Sequence, residues 1–192
     1  MFIDFLTLVM INMVAGTTLL AYYIWKGLDA EDQRPYAAAF GMVGLLALIL
    51  GLRLAFTWPL PGSYNVGYSD ATTLFGIVFL ATGFAIAMGW DLLPVSIYGF
   101  FAGIDAVIVG ARIWSLQLGK EPLVAAIGFV LAGLGGVFSY PFLKWFRDNK
   151  TVRWIAILML LATALIWAAT FYGALWSHLE SFSKWVPATM AQ

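Results

Sequence analysis

Runs of about twenty apolar residues recur six times along the chain, separated by short polar breaks. A bilayer's hydrocarbon core is about 30 Å thick, and about twenty helical residues cross it. The pattern therefore predicts membrane spans at roughly 4–25, 36–58, 71–90, 94–116, 122–143 and 152–175. The expected fold is all-α: a single transmembrane domain over residues 1–192, built as one bundle of six transmembrane helices.

The polar breaks set the orientation. Lys26 and Arg34 flank the break after span one, and Lys144, Arg147, Lys150 and Arg153 that after span five. These breaks share a side, and the positive-inside tendency makes it the cytoplasm, so both termini are expected outside the cell (cytoplasmic) membrane. Trp58, Trp114, Trp145, Trp154 and Trp176 fall near span ends, where amphipathic rings settle. The opening Met1-Phe-Ile-Asp4 lacks a basic leader, so the first apolar run is expected to stay as a span. The stretch from Trp58 to Asp70, with Pro59, Pro61, Gly62, Asn65 and Gly67, reads as a structured turn rather than a helix. Asp70 would then cap the start of span three. Residues 178–192 are too short and polar to cross, and are expected on the outer surface with Trp185 at the interface.

Composition sharpens this picture. The chain is 62% hydrophobic and 10% charged, whereas soluble domains carry about 25% charged residues. Basic and acidic residues number ten each, so no basic patch points to nucleic acid. Cysteine is absent, which excludes disulfides, thiolate metal sites and thiol nucleophiles. One histidine, His178, excludes bis-histidine haem ligation within one chain.

Span two opens Pro35-Tyr-Ala-Ala38-Ala39 and runs to Gly41 and Val43; span five opens at Pro122 and places Ala125, Ala126, Gly128 and Val130 at the same spacing. With one span starting inside and the other outside, a 3+3 inverted repeat would follow, a habit of transporters. The alternative is ordinary membrane-helix composition, since Pro suits helix starts and Ala and Gly are frequent in such helices.

Span four carries the strongest chemical signal. Asp105 lies near its centre, and an ionisable group at that depth costs about 2.5–3.5 kcal/mol even on lenient scales. Gly99, Gly103, Ala106 and Gly110 line a separate stripe suited to close helix packing, so span four is expected at the centre of the bundle. Asp105 and Arg112 are about 10.5 Å apart along the axis, too far for an easy pair. Arg53 or a water is the alternative partner. Counting depth along each span places Arg53, Arg112, Asn12, Glu121, Asp70 and His178 in one outer layer. Bland roles compete at each position: snorkelling for the arginines, a helix-dipole charge for Glu121, an interhelical hydrogen bond for Asn12, an interfacial site for His178, and a buried structural pair for Asp105.

The opening Met1-Phe-Ile-Asp4-Phe-Leu-Thr-Leu8, the run Trp58-Pro-Leu-Pro61-Gly62-Ser-Tyr64-Asn65, the stretch Tyr98-Gly99 to Gly103, and Lys120-Glu121-Pro122 through Gly128 and Gly133–Gly136 resemble an uncharacterised membrane family, domain of unknown function 981. The resemblance spans nearly all six helices. It implies no activity and no catalytic residues.

The leading expectation is membrane-embedded binding or transport of a small polar or anionic solute, proton-linked through Asp105, with Arg53 and Arg112 holding the ligand in an outward-facing site. The alternatives are a non-catalytic subunit of a larger respiratory or redox membrane complex, and lipid or quinone binding. An intramembrane enzyme ranks below these: there is no HExxH, and no catalytic residue, metal or cofactor is nominated. The expected partners are the lipid bilayer and either a second copy of the chain or a larger membrane complex.

Overall fold

A computed structural model of the chain describes residues 5–186. Within them the regular structure is helical: α1 (Phe5–Tyr22), α2 (Ala37–Thr57), α3 (Ser63–Met88), α4 (Leu93–Ser115), α5 (Pro122–Val137) and α6 (Lys150–Ser181). A π-helical turn, Tyr23–Gly27, prolongs α1, and a second, Phe142–Phe146, follows α5 after the short helical piece Ser139–Pro141. Among the described residues, six helices are long and apolar enough to cross a membrane, the signature of a multi-pass membrane protein. The opening Met1–Asp4, and the part of the polar tail beyond Val186, lie outside the described residues.

Two boundaries differ from the sequence expectation. Helix α3 begins at Ser63 and not near residue 71, so most of the Trp58–Asp70 stretch is helical. The breakers act only at its front. Trp58 ends α2 in a left-handed conformation (φ 45°), and Gly62 (φ 51°) is the last residue before α3. Asn65 is tolerated inside the first helical turns because its amide works outward: Nδ2 donates to the Leu54 carbonyl at 3.0 Å, and Oδ1 accepts from the Leu60 N–H at 3.2 Å. Asp70 accordingly stands two turns inside α3 and caps nothing; it accepts a hydrogen bond from the Ser69 hydroxyl at 2.9 Å. At the other end α6 runs 32 residues, about 48 Å, so His178 belongs to its last turn rather than to a tail beyond the span.

The helices pack as three close pairs: α2 with α3, α4 with α5, and α1 with α6. Glycine makes the first two pairs close. A methyl at Gly51 would meet the Thr73 backbone nitrogen at 2.6 Å, and one at Gly83 the Gly41 nitrogen at 2.8 Å, which binds α2 to α3. Gly103 of α4 faces Gly133 and Gly136 of α5, where a methyl would stand 2.5 Å from the Gly133 carbonyl oxygen. Gly99 and Gly110 share that side, the latter 2.9 Å from the Ala126 carbonyl by the same measure.

The pairing does not carry the 3+3 repeat. In such a repeat the tight α2–α3 pair would recur as α5–α6, yet α5 and α6 meet only sparsely. The shared sequence pattern also does different work in its two copies. A methyl on Gly41 would enter open space, whereas Gly128 lies against the indole of the buried Trp167.

Candidate functional site

Loops α1–α2, α3–α4 and α5–α6 gather at one end of the bundle, called here the basic end. Arg147 donates to the Leu28 carbonyl at 2.8 Å and lies 3.8 Å from Asp29, while Arg153 pairs with Asp29 and donates to the Arg147 carbonyl at 2.8 Å. The hydrogen bond from Arg153 holds the Asp29 carboxyl below its ordinary range. Tyr23 donates to the Gln33 side chain at 2.6 Å, and Gln33 donates to the Leu28 carbonyl at 3.0 Å. The first and fifth connections are thereby tied to each other across the bundle end.

Inside this tie lies a chamber of about 380 Å³, within the range of small-molecule sites. Along α4 it reaches from Leu92 to Ala106, about 21 Å. Phe129 and Trp167, in edge-to-face contact at 6.0 Å, line its deep end. Its walls are almost wholly apolar. The few hydroxyls on them are already committed to helix carbonyls: Thr17 to Met13 at 2.9 Å, Thr82 to Val78 at 2.8 Å, Ser96 to Leu93 at 2.6 Å, and Ser139 to Gly136 at 2.6 Å and to Ser96 at 3.0 Å. The wall hydroxyls are thereby satisfied within the protein, and apolar cavities stay dry. Phe138 and Ile155 line the chamber while 56% and 60% exposed, so its wall reaches the lipid-facing surface where α5 and α6 separate.

Toward the basic end the chamber meets a second, polar pocket of about 340 Å³. Tyr23, Leu28, Leu92 and Leu143 line both and stand between the two, a place called here the neck. The vestibule beyond the neck is lined by Gln33, Trp90, Asp91, Lys144 and Arg147. Asp91 is engaged locally, accepting the Leu93 N–H at 2.9 Å where α4 begins. Both π-helical turns abut the neck, supplying Tyr23 on one side and Leu143 and Lys144 on the other. Such turns are rare and frequent at functional sites, because the extra residue re-aims neighbouring side chains.

The residues singled out from sequence form no comparable enclosure. Asn12 is buried and donates to the Val43 carbonyl at 2.9 Å, an interhelical tie between α1 and α2. His178 Nδ1 and the Thr7 hydroxyl lie 3.2 Å apart and join α6 to α1. Glu121 is exposed at the start of α5 and makes no side-chain cap. Arg112 is exposed and donates to Ser115 on its own helix at 3.3 Å, turned away from Asp105. The ion pairs between described residues lie at the basic end.

Helix register does bring two carboxylates together. A methyl on Gly67 would meet Val109 at 3.1 Å, so three residues inward on α3 and four inward on α4 set Asp70 opposite Asp105, close enough for their charges to interact. One oxygen of Asp105 is buried without a hydrogen-bond partner. Each acid precedes an alanine that lines the chamber, Ala71 and Ala106, so the pair stands beside the chamber's deep end and not in it. The contact of Gly51 with Thr73 sets Arg53 of α2 at about this same level.

Sequence reasoning missed the chamber and its vestibule. Lys144 and Arg147 registered only as markers of orientation, and Gly99, Gly103 and Ala106 only as packing residues; the same small side chains also leave the space that the chamber occupies. Among the described residues, no three His, Asp or Glu side chains converge as metal ligands would.

Neither the curated proteins nor the solved structures contain a match to this chain. A family model does match, over residues 1–181, and so the chain belongs to the family described as protein of unknown function DUF981.

Proposed function

We propose that this protein binds a lipid-like or quinone-like molecule within the membrane, with the apolar part of that molecule held in the chamber. The observation that carries the reading is a dry apolar cavity about 21 Å long, flanked by a lipid-facing gap between α5 and α6. A polar solute would find no unsatisfied donor or acceptor among the wall hydroxyls, whereas a chain or ring would gain about 25 cal/mol for each Å² of apolar surface it buries. The protein sits in the cytoplasmic membrane with its basic end toward the cytoplasm and both termini outside, in keeping with Lys26, Arg34, Lys144, Arg147, Lys150 and Arg153. The ligand then enters from the inner leaflet.

Transport of a polar or anionic solute through an outward-facing site is the second reading. The Asp70–Asp105 pair and its neighbour in level, Arg53, favour it. It is the weaker of the two because these side chains stand outside the chamber.

The test is native mass spectrometry of the protein released from detergent, beside solvent extraction of its bound molecules. Wild type is expected to carry a lipid or quinone in defined stoichiometry. Thr82→Phe and Ala156→Phe, which fill the chamber from α3 and α6, are expected to lose it. Equal retention by wild type and both filled variants would remove the chamber from the function.

A further inference from the structure

The vestibule narrows the class of molecule, given the lipid-binding reading of the chamber on which this inference rests. We propose that the ligand is an amphiphile with a phosphate-bearing head, its single chain running through the neck into the chamber and its head seated between Lys144 and Arg147.

The two cavities adjoin at Tyr23, Leu28, Leu92 and Leu143, which line both, with apolar walls along α4's inner half on one side and polar walls on the other. A uniformly apolar ligand would leave the vestibule unused, and a uniformly polar one the chamber. Lys144 makes no hydrogen bond or ion pair among the described residues, yet it lines the vestibule. Arg147 is oriented by the Leu28 carbonyl and by Asp29, and it lines the same space. The one carboxylate on the vestibule wall, Asp91, has an oxygen turned to the α4 backbone. With Asp29 shared between Arg147 and Arg153, the three cations Lys144, Arg147 and Arg153 stand against two carboxylates, Asp29 and Asp91, which leaves this end with a positive balance. A guanidinium and an ammonium together match phosphate oxygens. A quinone's carbonyls would accept a hydrogen bond there but carry no negative charge to balance the pocket.

The chamber holds one chain. Its volume of about 380 Å³ lies at the low end of ligand sites and suits one chain better than two.

The experiment titrates detergent-solubilised full-length protein with oleoyl lysophosphatidate and, separately, mono-oleoyl glycerol, and reads occupancy by native mass spectrometry. Wild type is expected to bind the phosphate form about ten-fold tighter, as one charge-assisted contact of about 1.5 kcal/mol would give. Lys144→Gln should erase that preference without touching the glycerol form, and Lys144→Glu should reverse it. Lys144 is exposed and makes no hydrogen bond or ion pair among the described residues, so these variants are expected to keep the fold. Thr82→Phe should abolish both. Inorganic phosphate should fail to displace the lysophosphatidate at equal concentration.

Equal binding of the two amphiphiles, both lost in Thr82→Phe, would overturn the head-group assignment and leave the chamber reading standing. Binding of neither would remove both. Displacement by inorganic phosphate, with binding indifferent to Thr82→Phe, would reduce the site to a bare anion pocket and overturn the amphiphile.

Discussion

Asn65 donates its side-chain amide to the Leu54 carbonyl at 3.0 Å, across the turn that separates α2 from α3. Leu54 and Asn65 are both fully buried, and the same carbonyl accepts the Trp58 N–H at 3.1 Å. The two donors together satisfy this buried carbonyl at the end of α2, where the helix itself supplies few partners. Asn65→Ala removes one of the two donors on the Leu54 carbonyl and leaves the Leu60 N–H without its acceptor. It is expected to cost about 1–3 kcal/mol, read as a lowered unfolding midpoint in detergent. Asn65→Asp keeps the acceptor but loses the donor and should recover only part of the loss.

The close helix pairs give a second prediction through contrast. Gly103→Ala places a methyl against the α5 backbone and should cost about 1–3 kcal/mol, as overpacking does. Gly41→Ala meets open space and should be neutral or gain up to about 1 kcal/mol from helix preference. A thermal melt of the two variants side by side checks this. Similar losses in both would contradict the α4–α5 geometry.

Asp105 offers a prediction whose sign is opposite to the usual one for a core change. Its buried oxygen lacks a hydrogen-bond partner, and a second carboxylate, Asp70, faces it. Asp105→Leu should therefore stabilise the protein by about 1–3 kcal/mol, and Asp105→Asn by less. A melt showing clear destabilisation by leucine would mean that the carboxylate is satisfied in the membrane by a group it meets there.

At the basic end the pH dependence follows from Asp29. Its carboxyl titrates below the ordinary value in the folded protein, because Arg153 donates a hydrogen bond to it. A depressed folded value means that the stabilisation is present above the unfolded carboxylate pKa and is lost as pH falls through the folded value. Asp29 is more than half exposed, so solvent screens the effect and the change is small. Wild type should lose stability on acidification below about pH 4, and Asp29→Asn should be less stable at neutral pH and flatter on the acid limb. Parallel acid limbs for the two proteins would dismiss the Asp29 clamp.

Much of this was legible in the hydrophobic pattern. Six runs separated by short polar breaks predict six apolar helices, because bilayer thickness fixes helix length more tightly than any local propensity. The errors came where a side chain served a neighbouring element. Asn65 reads as a turn residue until its amide is seen bonded to α2, and only then does a helix starting at Ser63 make sense. Asp70 reads as a cap for the same reason. The chamber was out of reach: an alanine or glycine on a helix face has one sequence signature, whether the opposite wall is in contact or several ångströms away. Lys144 and Arg147 likewise carry no mark that separates an anion seat from a topogenic charge.

The pairing of the helices has a mechanical corollary. Where glycine brings two backbones into contact, as between α2 and α3 and between α4 and α5, neither helix can slide without collision, and each hairpin behaves as a stiff plank. The long apolar chamber runs between these planks and the α1–α6 pair. Any widening that admits a bulky guest must therefore come from planks tilting apart along their seams, with the sparse α5–α6 seam yielding first.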